Sequence, residues 1–324
     1  MMLRLRRFII VFLGIGLYWA CSPDDTIESV PLRDRAEQQV IDRDSLQNYL
    51  STHYYNSGAL ATMSNVVDGD IQIEALPAGG QLPDPDNQTL LINAVETHTT
   101  NYLGVDYEYY VLRVRQGSGE ERPHFSDDVR VQYSGSYFDG SIFDSRINPE
   151  ELDLTYLVAG WSRVLPQFNV ADGYVINNDG TVTYSNPGVG VMFLPSGLAY
   201  FDGNGAIPPY TNLVFSFTLF QSNVNDHDSD NVPSYLEDLD GDLNLATDDT
   251  DNDFNYNFND ADDDGDGVLT KDEDLEPDTD LTVDRDGDGD PTNDIGDGDP
   301  TNDDSDNDGI PNYLDPDSTG SRRD

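Results

Sequence analysis

The strongly acidic composition of the last third of the chain is the feature that most constrains its fold. From Ser222 to the end, 36 residues are acidic and four are basic, so this segment carries most of the formal net charge of −47. Because few of its residues are apolar, it cannot bury enough surface to form a conventional core. It either stays unfolded or folds around bound cations. Such a charge also repels the phosphates of DNA and RNA, which excludes nucleic acids as expected partners.

The acidic residues of this segment follow a twelve-residue pattern that is typical of calcium-binding loops. In the clearest copy, residues 262–273, Asp occupies positions 1, 3 and 5, Gly occupies position 6 and Glu occupies position 12. The first three carboxylates can face one cation, the glycine allows a sharp turn, and Glu273 can close the shell with both oxygens. The pattern predicts structural calcium sites with three sets of ligands: Asp262, Asp264, Asp266, Val268 and Glu273; Asp226, Asp228, Asp230 and Glu237; and Asp304, Asp306, Asp308 and Asp315.

The loops form an internal repeat. Pro-Ser-Tyr-Leu at residues 233–236 and Pro-Asn-Tyr-Leu at residues 311–314 stand in the same place in two of them, and a weaker copy begins at Asp238. Early copies begin about a dozen residues apart, which leaves no room for the flanking helices of an EF-hand. The segment resembles the thrombospondin type 3 repeats, in which calcium ions replace a hydrophobic core. This resemblance implies a calcium-stabilised stalk over residues 222–324; the alternative is a disordered acidic tail that only solvates the protein.

The N-terminus has the architecture of a secretory signal peptide. Three arginines precede an apolar run over residues 8–19, which is too short for a comfortable membrane span. Cys21, the single cysteine, excludes an internal disulfide framework. Its place after the run resembles that of the lipidated cysteine of bacterial lipoproteins, and Asp24-Asp25 resembles the surface-export signal of Bacteroidetes lipoproteins. We therefore predict a signal peptide over residues 1–21 and a lipid anchor on Cys21, in an outer-membrane lipoprotein of the cell envelope that faces the periplasm or the cell surface. The alternative is an uncleaved anchor with an incidental cysteine.

A helix is predicted over residues 34–53, within an N-terminal helical and irregular region that spans residues 22–106. Its apolar residues recur at helical spacing on one side, with charged residues opposite; they are Val40, Ile41, Leu46, Tyr49 and Leu50. The helix either packs on the following domain or serves for dimerisation or docking. The rest of the region is rich in Gly, Pro, Asn and Asp, which predicts a few strands and long loops.

A β-hairpin is predicted over residues 131–146. Two short runs of alternating residues flank Asp139-Gly140, and glycine supplies the positive φ that a tight turn needs. Before the hairpin, the alternating residues 107–114 predict a strand. After it, two Asp-Gly pairs within residues 169–187 predict an inserted second hairpin.

Three separated motifs in and after this first hairpin resemble the FKBP-type peptidyl-prolyl cis–trans isomerases. The motifs are Tyr133-Ser134-Gly135, Phe143-Asp144-Ser145 and Ile207-Pro208-Pro209, the last followed by Leu213 and Phe215. The resemblance covers residues 107–221. It implies an α+β fold in which a twisted antiparallel β-sheet wraps around a short helix, with an apolar pocket between sheet and helix.

The activity of that family needs aromatic walls rather than an acid, a base or a cofactor. Rotation about an X-Pro amide faces a barrier of about 18–20 kcal/mol. The twisted amide is less polar than the planar one, so an apolar site favours it. By resemblance, the walls are Tyr133, Phe143 and Phe215, and Asp144 is a buried carboxylate held by Arg146 or by the Tyr133 hydroxyl.

The remaining implied roles concern the floor, the rim and the hydrogen-bond donors of the pocket. Val164 and Leu165 match the family's Val-Ile pair, with the Leu165 N–H offered to the substrate. Gln167-Phe168 stands where the family has Gly-Trp, so Phe168 is the expected floor. Tyr200 is expected to donate its hydroxyl to the peptide, and Ile207 to close one rim.

The expected function is that of a prolyl isomerase for proline-containing exported polypeptides, with calcium as a structural ion and no catalytic cofactor. The alternative is a non-catalytic surface binding or adhesion lipoprotein with a calcium-stabilised stalk. A structural spacer is a further alternative.

Overall fold

The computed structural model describes residues 31–273, 300–304 and 308–317. The predicted signal peptide with Cys21, and the predicted ligand Asp306, lie outside the described residues. The helices are α1 (Arg35–Thr52), α2 (Ser57–Thr62) and α3 (Ala159–Val164). The strands are β1 (His53–Tyr55), β2 (Ile73–Ala75), β3 (Thr89–Leu90), β4 (Glu96–Tyr102), β5 (Val105–Arg115), β6 (Asp128–Ser136), β7 (Ile142–Asp153), β8 (Gly173–Ile176), β9 (Val182–Ser185), β10 (Gly188–Leu194) and β11 (Leu213–Asn223). Within the described ranges, every helix is too short or too polar to cross a bilayer.

The largest element is a six-stranded antiparallel sheet in the order β4-β5-β10-β11-β6-β7. A small sheet, β2-β1-β3, and the separate hairpin β8-β9 accompany it. The fold is thus a mixed one, in which an antiparallel sheet dominates and helices are few. In the described part of the Asp-rich tail, regular structure consists of short 3₁₀ turns such as Leu245–Thr247 and Thr270–Asp272.

The predicted hairpins are both present. Strands β6 and β7 pair over most of their length, and Gly140 takes a φ of +80° at the turn between them. Strands β8 and β9 form the inserted hairpin, with Gly180 at a φ of +84°. These turns were predictable because a positive φ is a local requirement that glycine meets at no steric cost. The strand predicted over residues 107–114 lies within β5.

The large sheet is covered on both faces because its strands alternate two sets of apolar side chains. On β5, Tyr109 and Val111 join the cluster that contains Trp161 of α3. Tyr110 and Leu112 point the other way, into a cluster with the residues of α1. The cluster around Trp161 is the larger of the two, and it lies beneath the candidate site described below.

The helix predicted over residues 34–53 is confirmed as α1, and it packs on the sheet. Leu46, Tyr49 and Leu50 are buried against β5, β10 and β11. Val40 and Ile41, predicted on the same apolar side, are instead 47% and 54% exposed. The first half of the helix buries polar side chains rather than apolar ones, so the apolar contact is confined to its second half.

Asp42 fastens the first half of α1 to the segment that leads to the candidate site. Its Oδ2 accepts hydrogen bonds from the Ser196 backbone N–H, at 2.9 Å, and from the Ser196 hydroxyl, at 2.6 Å. Its Oδ1 accepts from Gln38 Nε2 at 2.7 Å. Burial raises the pKa of Asp42, although these donors oppose the shift. The contact holds the turn Ser196–Leu198, two residues before Tyr200.

Candidate active site and carboxylate clusters

A cavity of about 250 Å³ lies where β6, β7 and β11 meet the start of α3. Five of the nine predicted catalytic residues line it: Tyr133, Phe143, Asp144, Tyr200 and Phe215. The other lining residues are Leu152, Tyr156, Leu157, Val158 and Trp161. The structure therefore brings the Tyr-x-Gly and Phe-Asp-Ser motifs together with Tyr200 and Phe215, which are distant in the sequence.

Edge-to-face aromatic contacts build the walls of this cavity. Trp161 meets Tyr133 with ring centroids 5.3 Å apart and Phe215 with centroids 5.4 Å apart. Phe143 meets Phe215 at 5.5 Å and an interplanar angle of 87°. Gly135 leaves room for this packing, since a Cβ there would lie 2.6 Å from Phe143 and 2.8 Å from Phe215. The Tyr-x-Gly motif therefore requires glycine at this position, because a side chain would clash with both aromatic rings.

Asp144 is held by both of the groups that the sequence suggested as alternatives. The Tyr133 hydroxyl donates to Oδ2 at 2.7 Å, and Arg146 Nη1 donates to Oδ1 at 2.8 Å. The prediction that this carboxylate is buried was wrong, because its side chain is 44% exposed. It lies on β7, one of the two edge strands of the six-stranded sheet, where solvent reaches it. Burial, helped by the neighbouring Asp144 carboxylate, raises the pKa of Tyr133, which keeps its hydroxyl protonated as a donor.

Tyr200 brings a hydroxyl to the other side of the cavity. Burial raises the pKa of this side chain, and the charge of Asp144 acts in the same direction. Within the described ranges, no protein group accepts a hydrogen bond from it. The hydroxyl is therefore a protonated donor at neutral pH.

Four of the predicted catalytic residues do not line the cavity. Val164, Leu165 and Phe168 are fully buried in the core, and Ile207 is 3% exposed beside them. The Leu165 N–H donates to the Trp161 carbonyl at the end of α3, which contradicts its predicted offer to a substrate. Phe168 packs edge-to-face on Phe217, with centroids 4.9 Å apart. The place of Ile207 at a rim stays a prediction.

Trp161 lines the cavity between Tyr133 and Phe215, and it was not among the residues predicted from the sequence. Gly160-Trp161 has the Gly-Trp sequence that the resemblance led us to expect at the floor, and it lies seven residues before Gln167-Phe168. The dipeptide was the signal that could have found it. A Cβ on Gly160 would lie 2.3 Å from Leu194 Cδ1, so the glycine lets α3 approach β10 closely. That approach sets Trp161 against the cavity.

In the Asp-rich tail, a common backbone conformation marks the successive loops. Among the described residues, position 6 of each copy has a positive φ: +79° at Asn231, +62° at Leu243, +78° at Phe254, +95° at Gly267 and +97° at Gly309. The copy that begins at Asp249 was missed, because Phe254 stands where the pattern has glycine. The repeat is therefore one of backbone conformation as well as of composition.

Carboxylate oxygens converge in these loops. In five groups of three among the described residues, one oxygen from each carboxylate lies within 4.8 Å of the other two. The groups are Asp226, Asp228 and Asp230; Asp230, Glu237 and Asp263; Asp238, Asp240 and Asp242; Asp249, Asp251 and Asp253; and Asp262, Asp264 and Asp266. The last loop is described in part, and there Asp304 Oδ2 accepts from the Gly309 N–H at 2.9 Å while Asp315 is 6% exposed.

The donor set of the Asp262 loop fits a hard divalent cation. Glu273 is 1% exposed, and buried oxygens of Glu273, Asp264 and Asp266 have no hydrogen-bond partner. Burial and the neighbouring carboxylates raise the pKa of Glu273 to about 9 and that of Asp264 to about 6. Oxygen-only donors of this kind suit calcium. The ligand role of Val268 stays a prediction.

Known proteins are similar to part of this chain. No protein-family profile matches it. Over 112 residues it is 30% identical to the macrophage infectivity potentiator of Trypanosoma cruzi, which covers 33% of this chain and 49% of that protein. Over 111 residues it is 28% identical to the FKBP-type 22 kDa peptidyl-prolyl cis-trans isomerase of Escherichia coli strain K12, which covers 33% and 47%. One third of this chain is related to the FKBP-type isomerases.

The chain spans about half the length of the curated relatives it matches. The crystal structure of FkpA from Escherichia coli is similar over 40% of this chain and 52% of that one, at 28% identity and a TM-score of 0.31. Because that score is low, the relation to the FKBP-type isomerases is drawn from the sequences.

Proposed function

We propose that the protein is an FKBP-type peptidyl-prolyl cis–trans isomerase whose X-Pro site is the cavity between β6, β7, β11 and α3. The observation that carries the proposal is the convergence of Tyr133, Phe143, Asp144, Tyr200 and Phe215 on one aromatic cavity. The sequence relation to FKBP-type isomerases supports it.

The cavity would act by favouring the twisted amide over the planar one. In the planar amide, resonance spreads charge between oxygen and nitrogen, and water stabilises that charge separation. The aromatic surfaces of Trp161, Phe143 and Phe215 offer no such stabilisation, so the less polar twisted form loses less on entering. Trp161 would lie under the proline ring as the floor. The residues of the cavity would thus lower the barrier to rotation about the X-Pro amide without any proton transfer.

Two donors would orient the peptide. Tyr200 carries a protonated hydroxyl at the cavity. The second donor would be the backbone N–H of Val158, the residue that precedes α3, because the first N–H groups of a helix have no acceptor within it. This N–H would take the role that was predicted for the Leu165 N–H. Asp144 would hold the Tyr133 ring as a wall through the 2.7 Å hydrogen bond, while Arg146 Nη1 donates to its other carboxylate oxygen at 2.8 Å.

The full chain is expected to accelerate isomerisation of a short X-Pro peptide, and Phe143→Ala is expected to lower kcat/KM about fivefold, or about 1 kcal/mol. The assay follows relaxation of the cis–trans equilibrium after a solvent jump. Ile142→Ala is the matched control, because the Ile142 side chain is next to Phe143 in the sequence but is 64% exposed and does not line the cavity. No rate above the uncatalysed one, in a folded chain, would favour the non-catalytic binding protein instead.

We further propose that the protein acts on exported polypeptides in the cell envelope, anchored by a lipid on Cys21, with calcium stabilising its tail. The signal-peptide pattern and the convergent tail carboxylates support this. Expressed in a bacterium that processes lipoproteins, the wild-type chain is expected in the membrane fraction, and Cys21→Ser in the soluble fraction. Equal membrane retention of both would instead indicate an uncleaved anchor.

A further inference from the structure

A buried carboxylate cluster joins two loops that are far apart in the sequence. Asp230 and Glu237 belong to the first loop, residues 226–237, whereas Asp263 belongs to the loop of residues 262–273. One oxygen of each lies within 4.8 Å of the other two. Asp263 occupies position 2 of its loop, which supplies no ligand in the twelve-residue pattern. This cluster is therefore not one that either loop would form alone.

All three side chains are removed from solvent. The exposed fraction is 0% for Asp230, 0% for Glu237 and 2% for Asp263. The strongest charges acting on Glu237 come from Asp228, Asp263 and Asp230, all of them carboxylates. Burying charged groups of one sign without a counter-charge is strongly unfavourable. The cluster therefore needs its charge relieved, either by protonation or by a cation whose positive charge lies among the three carboxylates.

The free oxygens show where that charge would lie. Asp230 uses Oδ1 to accept the Val232 N–H at 2.8 Å, and Asp263 uses Oδ2 to accept from the Thr270 hydroxyl at 3.4 Å. The second oxygen of each, and both oxygens of Glu237, are buried without a hydrogen-bond partner. Each aspartate is thus braced within its own loop through one oxygen and leaves the other for a ligand.

We propose that Asp230, Glu237 and Asp263 bind one shared calcium ion that bridges the two loops. Carboxylate oxygens select hard cations, and a cage made of protein oxygens suits calcium, because magnesium retains several of its waters. The proposal builds on the calcium-stabilised tail proposed above and adds a site that no single loop contains.

A bridging ion at this place would tie the tail to the FKBP-related domain. The first loop already contacts that domain, because His227 Nε2 lies 3.0 Å from Asp153 Oδ2 at the end of β7. In addition, Tyr235 stacks on His124 with ring centroids 3.6 Å apart. Through the shared ion, the loop of residues 262–273 would be fixed to the same support, past the two intervening loops.

The test counts calcium ions bound per full-length chain, by equilibrium dialysis and elemental analysis at saturating calcium. Asp263→Asn and Glu237→Gln, which lie on different loops, are each expected to bind one ion fewer than the wild type. Asp272→Asn is the matched control, because it removes the same charge from the same loop as Asp263→Asn and is expected to retain every ion.

Retention of the full ion count by both variants would overturn the bridging site, while leaving the calcium-binding tail intact. Unequal ion losses from the two variants would also overturn it, since the count would then follow local damage to each loop. The loss of an ion from Asp272→Asn would overturn it as well, since the count would then follow net charge. A wild-type chain that binds no calcium would instead refute the calcium-stabilised tail itself, and the bridging site with it.

Discussion

Replacing Trp161 with leucine is expected to lower kcat/KM for an X-Pro peptide about thirtyfold, which corresponds to about 2 kcal/mol of transition-state stabilisation. The indole lies between Tyr133 and Phe215 and offers the largest flat apolar surface in the cavity. Leucine keeps the site apolar but removes the face on which a proline ring would rest. The measurement is the isomerisation rate of the full chain at several substrate concentrations.

The matched control for this variant is Phe168→Leu. Phe168 is also a buried aromatic residue, but it packs on Phe217 away from the cavity. Both substitutions remove core volume, and each is expected to destabilise the domain by roughly 1–3 kcal/mol. Thermal unfolding of both variants measures that cost. If Phe168→Leu loses as much kcat/KM as Trp161→Leu, the floor has been assigned to the wrong residue.

Removal of calcium is expected to unfold the loops of residues 226–273 while the six-stranded sheet remains folded. Few apolar side chains are buried there: Val232, Leu245 and Phe258. Burial raises the pKa of Glu237 to about 10 and that of Asp263 to about 9, which reflects the cost of charging them without a cation. A site saturated at 100 times its Kd contributes about 2.7 kcal/mol. Several such sites would dominate the stability of the tail.

Hydrogen exchange read by mass spectrometry, with calcium and with chelator, measures this effect segment by segment. Protection is expected to disappear from residues 226–273 and to persist in β5, β10 and β11. Magnesium at the same concentration serves as a control for ionic strength. Unchanged protection of the tail in chelator would contradict calcium-dependent folding.

The parts of the fold and site that depend on local requirements could be predicted from the sequence. The turn at Asp139-Gly140 is one case, because glycine there meets a backbone need. The cavity walls are another, because Tyr133 and Phe143 lie in short motifs of fixed spacing. In each case the information needed is contained within a few residues.

Non-local contacts defeated the same reasoning. Val164 and Leu165 look as suitable for an aliphatic pair as Leu157 and Val158 do. The Gly160-Trp161 dipeptide after the second pair is the one local signal that separates them, and the packing of α3 on β10 is what sets Trp161 against the cavity. Likewise, periodicity placed Val40 on the apolar side of α1. The helix sequence alone does not show how far the sheet extends beneath it, so the exposure of Val40 could not be predicted. Asp263 could not have been paired with Glu237, because the two meet only when the loops stack.

The strand order of the large sheet determines when the sheet can be completed during synthesis, which proceeds from the N-terminus. The two central strands, β10 and β11, are the last of the six in the sequence. Until Asn223 has been synthesised, the two strands that lie between β5 and β6 in the sheet are incomplete. The apolar side of α1 can then pack on only part of the surface that it covers in the folded protein. Such long-range pairing slows folding and prolongs exposure of unpaired strand edges. The six-stranded sheet therefore cannot be completed before Asn223, the last residue of β11, has been synthesised.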